Sequence, residues 1–256
     1  MNSILEFQDV SVQFGGVKAV QNISFQLAPG EFVGLIGPNG AGKTTIFNLI
    51  THSVLPTSGN ILLNGDNITG KRPDQINHLG VSRTFQNIRL FPNMSVFDNV
   101  ALGMYSRTQY SLLDGFLRTA KARLADRAVR GQVNELLEVV GLTRSLKEKA
   151  GSLPYGSQRR LEMARAIASQ PDLLLLDEPA AGMNEEECAD LIQLIRRIHQ
   201  NYHMAIILIE HHMNVVMGVS DHITVLDYGN KIAEGTPEEI RCNARVKAAY
   251  LGTADE

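Results

Sequence analysis

Phe32-Val33-Gly34-Leu35-Ile36 runs directly into Gly37-Pro38-Asn39-Gly40-Ala41-Gly42-Lys43-Thr44, and Thr45 to Ile50 reads as a helix behind it. The apolar run suits a strand buried on both faces of a parallel sheet. The octet matches G-x-x-x-x-G-K-[ST] in full. Its glycines let the backbone curl so that successive N–H groups point inward, and the helix that follows presents its positive end to the same anion. Lys43 then supplies a point charge to terminal phosphates, and Thr44 a hydroxyl for Mg²⁺. A glycine-rich surface turn is the competing reading. The strand before and the helix after weigh against it.

A second buried strand, Leu173-Leu174-Leu175-Leu176, ends in Asp177-Glu178. Ligands in open α/β sheets bind beyond the carboxyl ends of the strands. That places Asp177 to hold Mg²⁺ or its waters, and Glu178 to take a proton from, or orient, an attacking water. Alone, two acids at a strand end could simply open an exposed loop. Beside a phosphate loop they point to nucleotide hydrolysis. A third buried strand, Ala205 to Ile209, leads into Glu210-His211.

Around these strands the chain changes character twice. Ile4 to Val12 and Ile23, Phe25, Leu27 alternate apolar and polar residues, as half-exposed antiparallel strands do, and Ile61-Leu62-Leu63 enters a hairpin at Asn64-Gly65. Val81 to Gln86 reads as one more short strand. From Asn87 to about Leu153 helical spacing takes over, for example Val133, Leu136, Leu137 and Val140. Asn184 with Glu187, and Thr236 with Pro237, Glu238 and Glu239, are helix starts. The fold class expected is α/β: a P-loop NTPase (RecA-like) core with an N-terminal antiparallel β subdomain and an inserted α-helical subdomain. The expected boundaries are 1–86 with 156–236 for the core and β subdomain, 87–155 for the insertion, and 237–256 for a C-terminal helix and tail.

The chain has 256 residues, of which 44% are hydrophobic, enough for a sizeable core. Its formal net charge of -3 lacks the basic excess that phosphate-reading nucleic-acid binders carry. Cys188 and Cys242 show no metal-type spacing and suggest a reducing compartment. No apolar run approaches the ~20 residues needed to cross a bilayer, and the first residues do not form a signal peptide. The expectation is a cytosolic chain whose membrane role, if it has one, comes through a partner.

Taken together, these stretches resemble the ABC family of ATP-binding subunits over nearly the whole chain. Thr84-Phe85-Gln86 lies where the family has its glutamine loop, Ile209-Glu210-His211 where it has its switch histidine, and Leu153 to Arg160 where its signature belongs. The resemblance implies ATP and Mg²⁺ as cofactors. It gives Gln86 a contact to the metal and the water, His211 a contact to the γ-phosphate, and Phe14 an adenine to stack on. Thr45 joins the phosphate loop, and Tyr155, Gly156 and Ser157 the signature contacts. Phe14 could equally be core packing.

The signature departs from the family's Leu-Ser-Gly-Gly-Gln: here it reads Leu153-Pro154-Tyr155-Gly156-Ser157. Pro154 has neither a hydroxyl nor an N–H to offer a phosphate. This implies pairing with a different ATPase subunit that carries a standard signature, leaving one of the two shared sites weakened. Asn184 stands where the family usually has Asp, and caps a helix as well as Asp does. The stretches Arg83-Thr84-Phe85-Gln86-Asn87, Leu153 to Glu162 and Asp177 to Asn184, and the extra stretch Met104 to Arg130, look like the G-type ATPase subunit of branched-chain amino acid importers. That subfamily implies transmembrane permease subunits, an F-type ATPase partner (a homodimer being possible in isolation), a periplasmic substrate-binding protein acting indirectly, and a place on the cytoplasmic face of the inner membrane. A transporter of another substrate or of export direction, and a soluble ABC ATPase unconnected to transport, are the alternatives. The short helical insertion lacks the sustained heptads of the DNA-repair members. Met104 to Arg130 carries Leu112, Leu113, Phe116 and Leu117 followed by Arg118, Lys121, Arg123, Arg127 and Arg130. It reads either as a segment near the inner membrane surface or a permease loop, or as a solvated helix, with the last preferred.

Overall fold

The computed structural model describes residues 3–105 and 120–251, the side chains of 120–123 and 251 excepted. Leu112, Leu113, Phe116, Leu117 and Arg118 lie outside the described residues, as do the side chains of Lys121 and Arg123. Arg127 and Arg130 are exposed on their helix. Among the described residues, no helix is long and apolar enough to cross a membrane.

The chain divides into two units, Met1–Arg83 with Asp172–Glu256, and Thr84–Pro171. The first unit holds two sheets. In one, β1 (Leu5–Phe14), β2 (Val17–Leu27), β4 (Ser58–Leu63) and β5 (Asp66–Asn67) pair antiparallel in the order β2-β1-β4-β5. The other runs β10-β9-β3-β8-β7-β6. Its strands are β3 (Phe32–Ile36), β6 (Val81–Arg83), β7 (Leu173–Asp177), β8 (Ala205–Ile209), β9 (His222–Asp227) and β10 (Asn230–Gly235). Only the β10–β9 pairing is antiparallel. Every residue of β3, β7 and β8 is buried. This is why these three strands read as unbroken apolar runs: helices cover both faces of a parallel sheet.

The order β3-β8-β7 positions the site. Neighbouring parallel strands end on the same edge, so the segments after Ile36, Asp177 and Ile209 must emerge side by side. Helix α1 (Lys43–Ile50) leaves the first of these segments and buries Ile46, Phe47, Leu49 and Ile50 in the core beneath the antiparallel sheet. After α2 (Pro73–His78), β6 stops at Arg83, three residues short of the strand expected from the sequence.

The second unit packs α3 (Val96–Tyr105) against α4 (Ala120–Val139) and α5 (Tyr155–Ala168). Val133, Leu136, Leu137 and Val140 are all buried, as their spacing requires. The sequence pattern sets the return to the core at residue 156, whereas α5 packs with α3 and α4 and the second unit extends to Pro171.

The first unit then continues with α6 (Glu185–Tyr202), α7 (Met213–Val219), α8 (Pro237–Cys242) and α9 (Ala244–Leu251). Asn184 and Glu187 cap α6 reciprocally: Glu187 N–H donates to Asn184 Oδ1 and Asn184 N–H to Glu187 Oε2, both at 2.9 Å. An Asn184→Ala protein is expected to lose about 1 kcal/mol. For a chain of this size that lowers Tm by about 2–4 °C in a thermal melt. An unchanged Tm would show that the cap contributes nothing.

Candidate nucleotide site

The loop after β3 is shaped by what its glycines lack. Gly37 has φ 149°, and a Cβ there would sit 2.1 Å from the carbonyl oxygen of Leu226 in β9. At Gly42, φ 103°, a Cβ would meet the Ala19 carbonyl at 2.6 Å. Backbone therefore closes on both ends of the loop. Gly229 N–H also donates to the Ala41 carbonyl at 3.0 Å. Lys43 is buried, and its Nζ donates to the Gly37 carbonyl at 2.6 Å and the Pro38 carbonyl at 2.9 Å. The ammonium is folded back into the loop it follows. Burial pushes its pKa below the ordinary lysine range, and the charge of Glu178 pulls it back up. The carboxylate after β7 thus lies within electrostatic reach of the lysine after β3.

Asn39, Gly40 and Thr44 are exposed around the loop, while Pro38 and Thr45 are half-buried and Ala41 is buried. Phe14 ends β1 half-exposed, at the tip of the hairpin whose β2 carries Ala19 against Gly42. An aromatic ring on that tip is open to stacking rather than packed in the core.

Asp177, the last residue of β7, is buried and accepts Arg83 Nη2 at 2.6 Å on Oδ2. The same guanidinium donates through Nη1 to Asn48 Oδ1 in α1 at 2.8 Å and lies 5.3 Å from the centre of the Phe47 ring. Arg83 therefore ties the helix behind the phosphate loop to the carboxylate, a role the sequence did not suggest. Glu178 has φ 47°, a left-handed backbone unusual outside glycine, and its N–H donates to the Ile209 carbonyl at 2.9 Å. His211 Nε2 stands 2.9 Å from Glu178 Oε1. A carboxylate only accepts, so this pairing puts the proton on Nε2. Lys43, Asp177, Glu178 and His211 are thus gathered on one sheet edge.

Gln86, Tyr155, Gly156 and Ser157 belong to the second unit. Gln86 and Tyr155 are exposed, and Gly156 and Ser157 are half-buried in the first turn of α5. Pro154 is the N-cap of that helix and makes no side-chain capping bond. One turn on, Arg159 is almost fully buried. It donates to the Phe85 carbonyl at 2.6 Å, to the Gln86 carbonyl, to Tyr155 Oη at 3.1 Å and to Glu162 Oε2 at 3.1 Å. Glu162 Oε1 accepts Arg89 N–H at 3.1 Å. The buried Arg159–Glu162 pair clasps the segment carrying Gln86 to the start of α5. In sequence, an Arg and a Glu three apart look like solvated helix surface, and that is why the clasp was missed.

Residues 20–181 match the family model described as ABC transporter, and residues 230–256 one described as branched-chain amino acid ATP-binding cassette transporter. The chain is 44% identical over 251 residues to the high-affinity branched-chain amino acid transport ATP-binding protein LivG of Escherichia coli K12, with 98% of each covered. It is 43% identical over 251 residues, again with 98% of each covered, to the corresponding protein BraF of Pseudomonas aeruginosa. Among solved structures, the ADP conformation of MJ1267, an ATP-binding cassette of an ABC transporter, superimposes with a TM-score of 0.82 at 27% identity, covering 98% of this chain and 100% of that one.

Proposed function

Because the chain belongs to the ABC transporter family of ATP-binding proteins, we propose that it is the ATP-hydrolysing subunit of a membrane importer for branched-chain or other hydrophobic amino acids. The observation that carries the reading is Lys43, held by two loop carbonyls with the charge of Glu178 in reach. Entering phosphates would replace those carbonyls as partners of the ammonium. They would also gain the loop N–H groups and the positive end of α1. The substrate class rests on the names of LivG and BraF and on the match over residues 230–256.

Glu178 is assigned the proton of the attacking water, and His211 the γ-phosphate. Their mutual hydrogen bond holds both side chains near the site before nucleotide arrives. Phe14 is assigned the adenine. Gln86, on the second unit, is assigned the metal-and-water contact by resemblance alone. Thr44 and Asp177 offer a hydroxyl and a carboxylate, the hard oxygen donors that suit Mg²⁺. The bound cation would neutralise charge on the transferred phosphoryl group. Transport follows if two ATPase subunits bind ATP more tightly when closed on each other than when apart, since only that difference can move the permease. The bare Pro154 cap supports a partner of another kind, an F-type subunit with a standard signature, beside the permease subunits on the cytoplasmic face of the membrane.

The test is uptake of radiolabelled leucine by cells that lack this chain. Uptake is expected to fall to background and to return with the wild-type chain. Uptake that is unaffected overturns the substrate class. A purified complex with its permease subunits that fails to hydrolyse Mg-ATP overturns the ATPase reading itself.

A further inference from the structure

Glu210 follows the last residue of β8 and is 2% exposed. Its carboxylate accepts three backbone N–H groups: Ala180 at 2.6 Å on Oε1, and His211 at 2.9 Å and His212 at 3.2 Å on Oε2. Ala180 lies two residues past Glu178. The carboxylate therefore joins the loop after β7 to the loop after β8, each immediately beside the side chain it presents to the site.

Burying a carboxylate without a cation is costly, and charge-assisted bonds from N–H donors are what offset it. The placement of the donors matters more than their number. The Glu178–His211 pair, 2.9 Å apart, spans the same two loops. Glu178 also holds a left-handed backbone, and the turn after it closes through Ala181 N–H on the Glu178 carbonyl and Met183 N–H on the Ala180 carbonyl. That turn is fixed to β8 at two points, Glu178 N–H to the Ile209 carbonyl and Ala180 N–H to Glu210. If the second anchor is released, the Glu178 carboxylate can rotate about the first.

We propose that Glu210 is a positioning residue for hydrolysis: it sets the separation of Glu178 and His211 by holding the backbone on both sides of the gap. This rests on the assignment of those two side chains to the water and the γ-phosphate. Glu210 touches neither nucleotide nor water. Its effect should appear in turnover and not in nucleotide capture, which the loop after β3 performs.

The decisive variant is Glu210→Gln, nearly the same size. Its amide carries one acceptor oxygen, and its NH₂ must face backbone N–H donors. Turnover per nucleotide-binding site in the complex with permease subunits is expected to fall about 10- to 100-fold, the scale of an ångström's misplacement. KM for ATP should stay within about twofold. A purely structural role would lower the number of binding-competent sites and leave turnover per site unchanged, and that result overturns the proposal. A wild-type complex that does not hydrolyse Mg-ATP would sink the underlying assignment instead, so the two failures are distinct. Should the variant not fold, amide hydrogen exchange in the full-length wild-type chain decides. The Ala180, His211 and His212 amides are expected to exchange slowly and with a common opening rate. Fast exchange at Ala180 or His211 overturns the proposal.

Discussion

Glu178→Gln is expected to stop hydrolysis while leaving Mg-ATP bound. Glutamine keeps the size of the side chain and an oxygen that can face His211, but it cannot accept a proton. General-base assistance is worth about 10²–10⁴ in rate, and single-turnover hydrolysis should slow by that much. Nucleotide capture depends on the loop after β3, where Gly37, Pro38 and Lys43 are held independently of Glu178. The change also removes the one influence that raises the Lys43 pKa against its burial. In the empty site, Lys43 then falls further below the ordinary lysine range. Bound polyphosphate supplies negative charge in place of the lost carboxylate, so ATP should co-purify with the variant unhydrolysed. A Glu178→Gln protein that turns over ATP at the wild-type rate would remove Glu178 from the chemistry and leave its pairing with His211 as packing.

The residues legible in the sequence are those whose chemistry is written locally. Gly37 to Thr44 is a contiguous motif, and Leu173 to Asp177 and Ala205 to Ile209 announce their burial by composition. Asn184 and Thr236 announce helix starts by the spacing to Glu187 and Glu239, and both capping boxes are present. What the sequence hid is charge placed by tertiary packing. Arg83, Arg159, Glu162 and Glu210 are polar residues that most often lie in solvent. Nothing in their neighbours reveals that Arg159, Glu162 and Glu210 are buried and Arg83 half-buried, each with specific partners. The same cause shortens β6. Val81 to Gln86 has the composition of a strand, but the carbonyls of Phe85 and Gln86 accept Arg159, and the ladder with β7 ends at Arg83. Glu210 is the clearest instance. In sequence it is one residue before a histidine that the family resemblance had already claimed, whereas in the fold it connects two strand ends separated by some thirty residues of chain.

Gly37→Ala should weaken nucleotide binding about a hundredfold, for a reason that separates it from Gly40. A methyl at Gly37 would lie 2.1 Å from the Leu226 carbonyl and 3.1 Å from Ala41 Cβ, on a backbone of φ 149°. Leu226 pairs with Lys231 in β10, and its strand pairs with β3, so its carbonyl cannot withdraw without disturbing the sheet. The loop must move instead. The Gly37 carbonyl that holds Lys43 at 2.6 Å moves with it. Strained backbone of this kind costs about 1–3 kcal/mol. In a chain of this size that predicts a Tm lower by about 2–12 °C. Displaced loop N–H groups and a displaced ammonium forfeit at least two charge-assisted bonds to phosphate, about 1.5 kcal/mol each, or roughly a hundredfold in Kd. Gly40 has φ 81° and nothing within 4 Å of where its Cβ would point. Gly40→Ala therefore bears only the backbone preference, about 1 kcal/mol, and should retain most of its affinity. Titration of both variants with a fluorescent ATP analogue reads the difference directly. Equal affinities would mean that the wall formed by Leu226 does not shape the phosphate loop, and that the glycine at 37 serves only the conformational freedom it shares with Gly40.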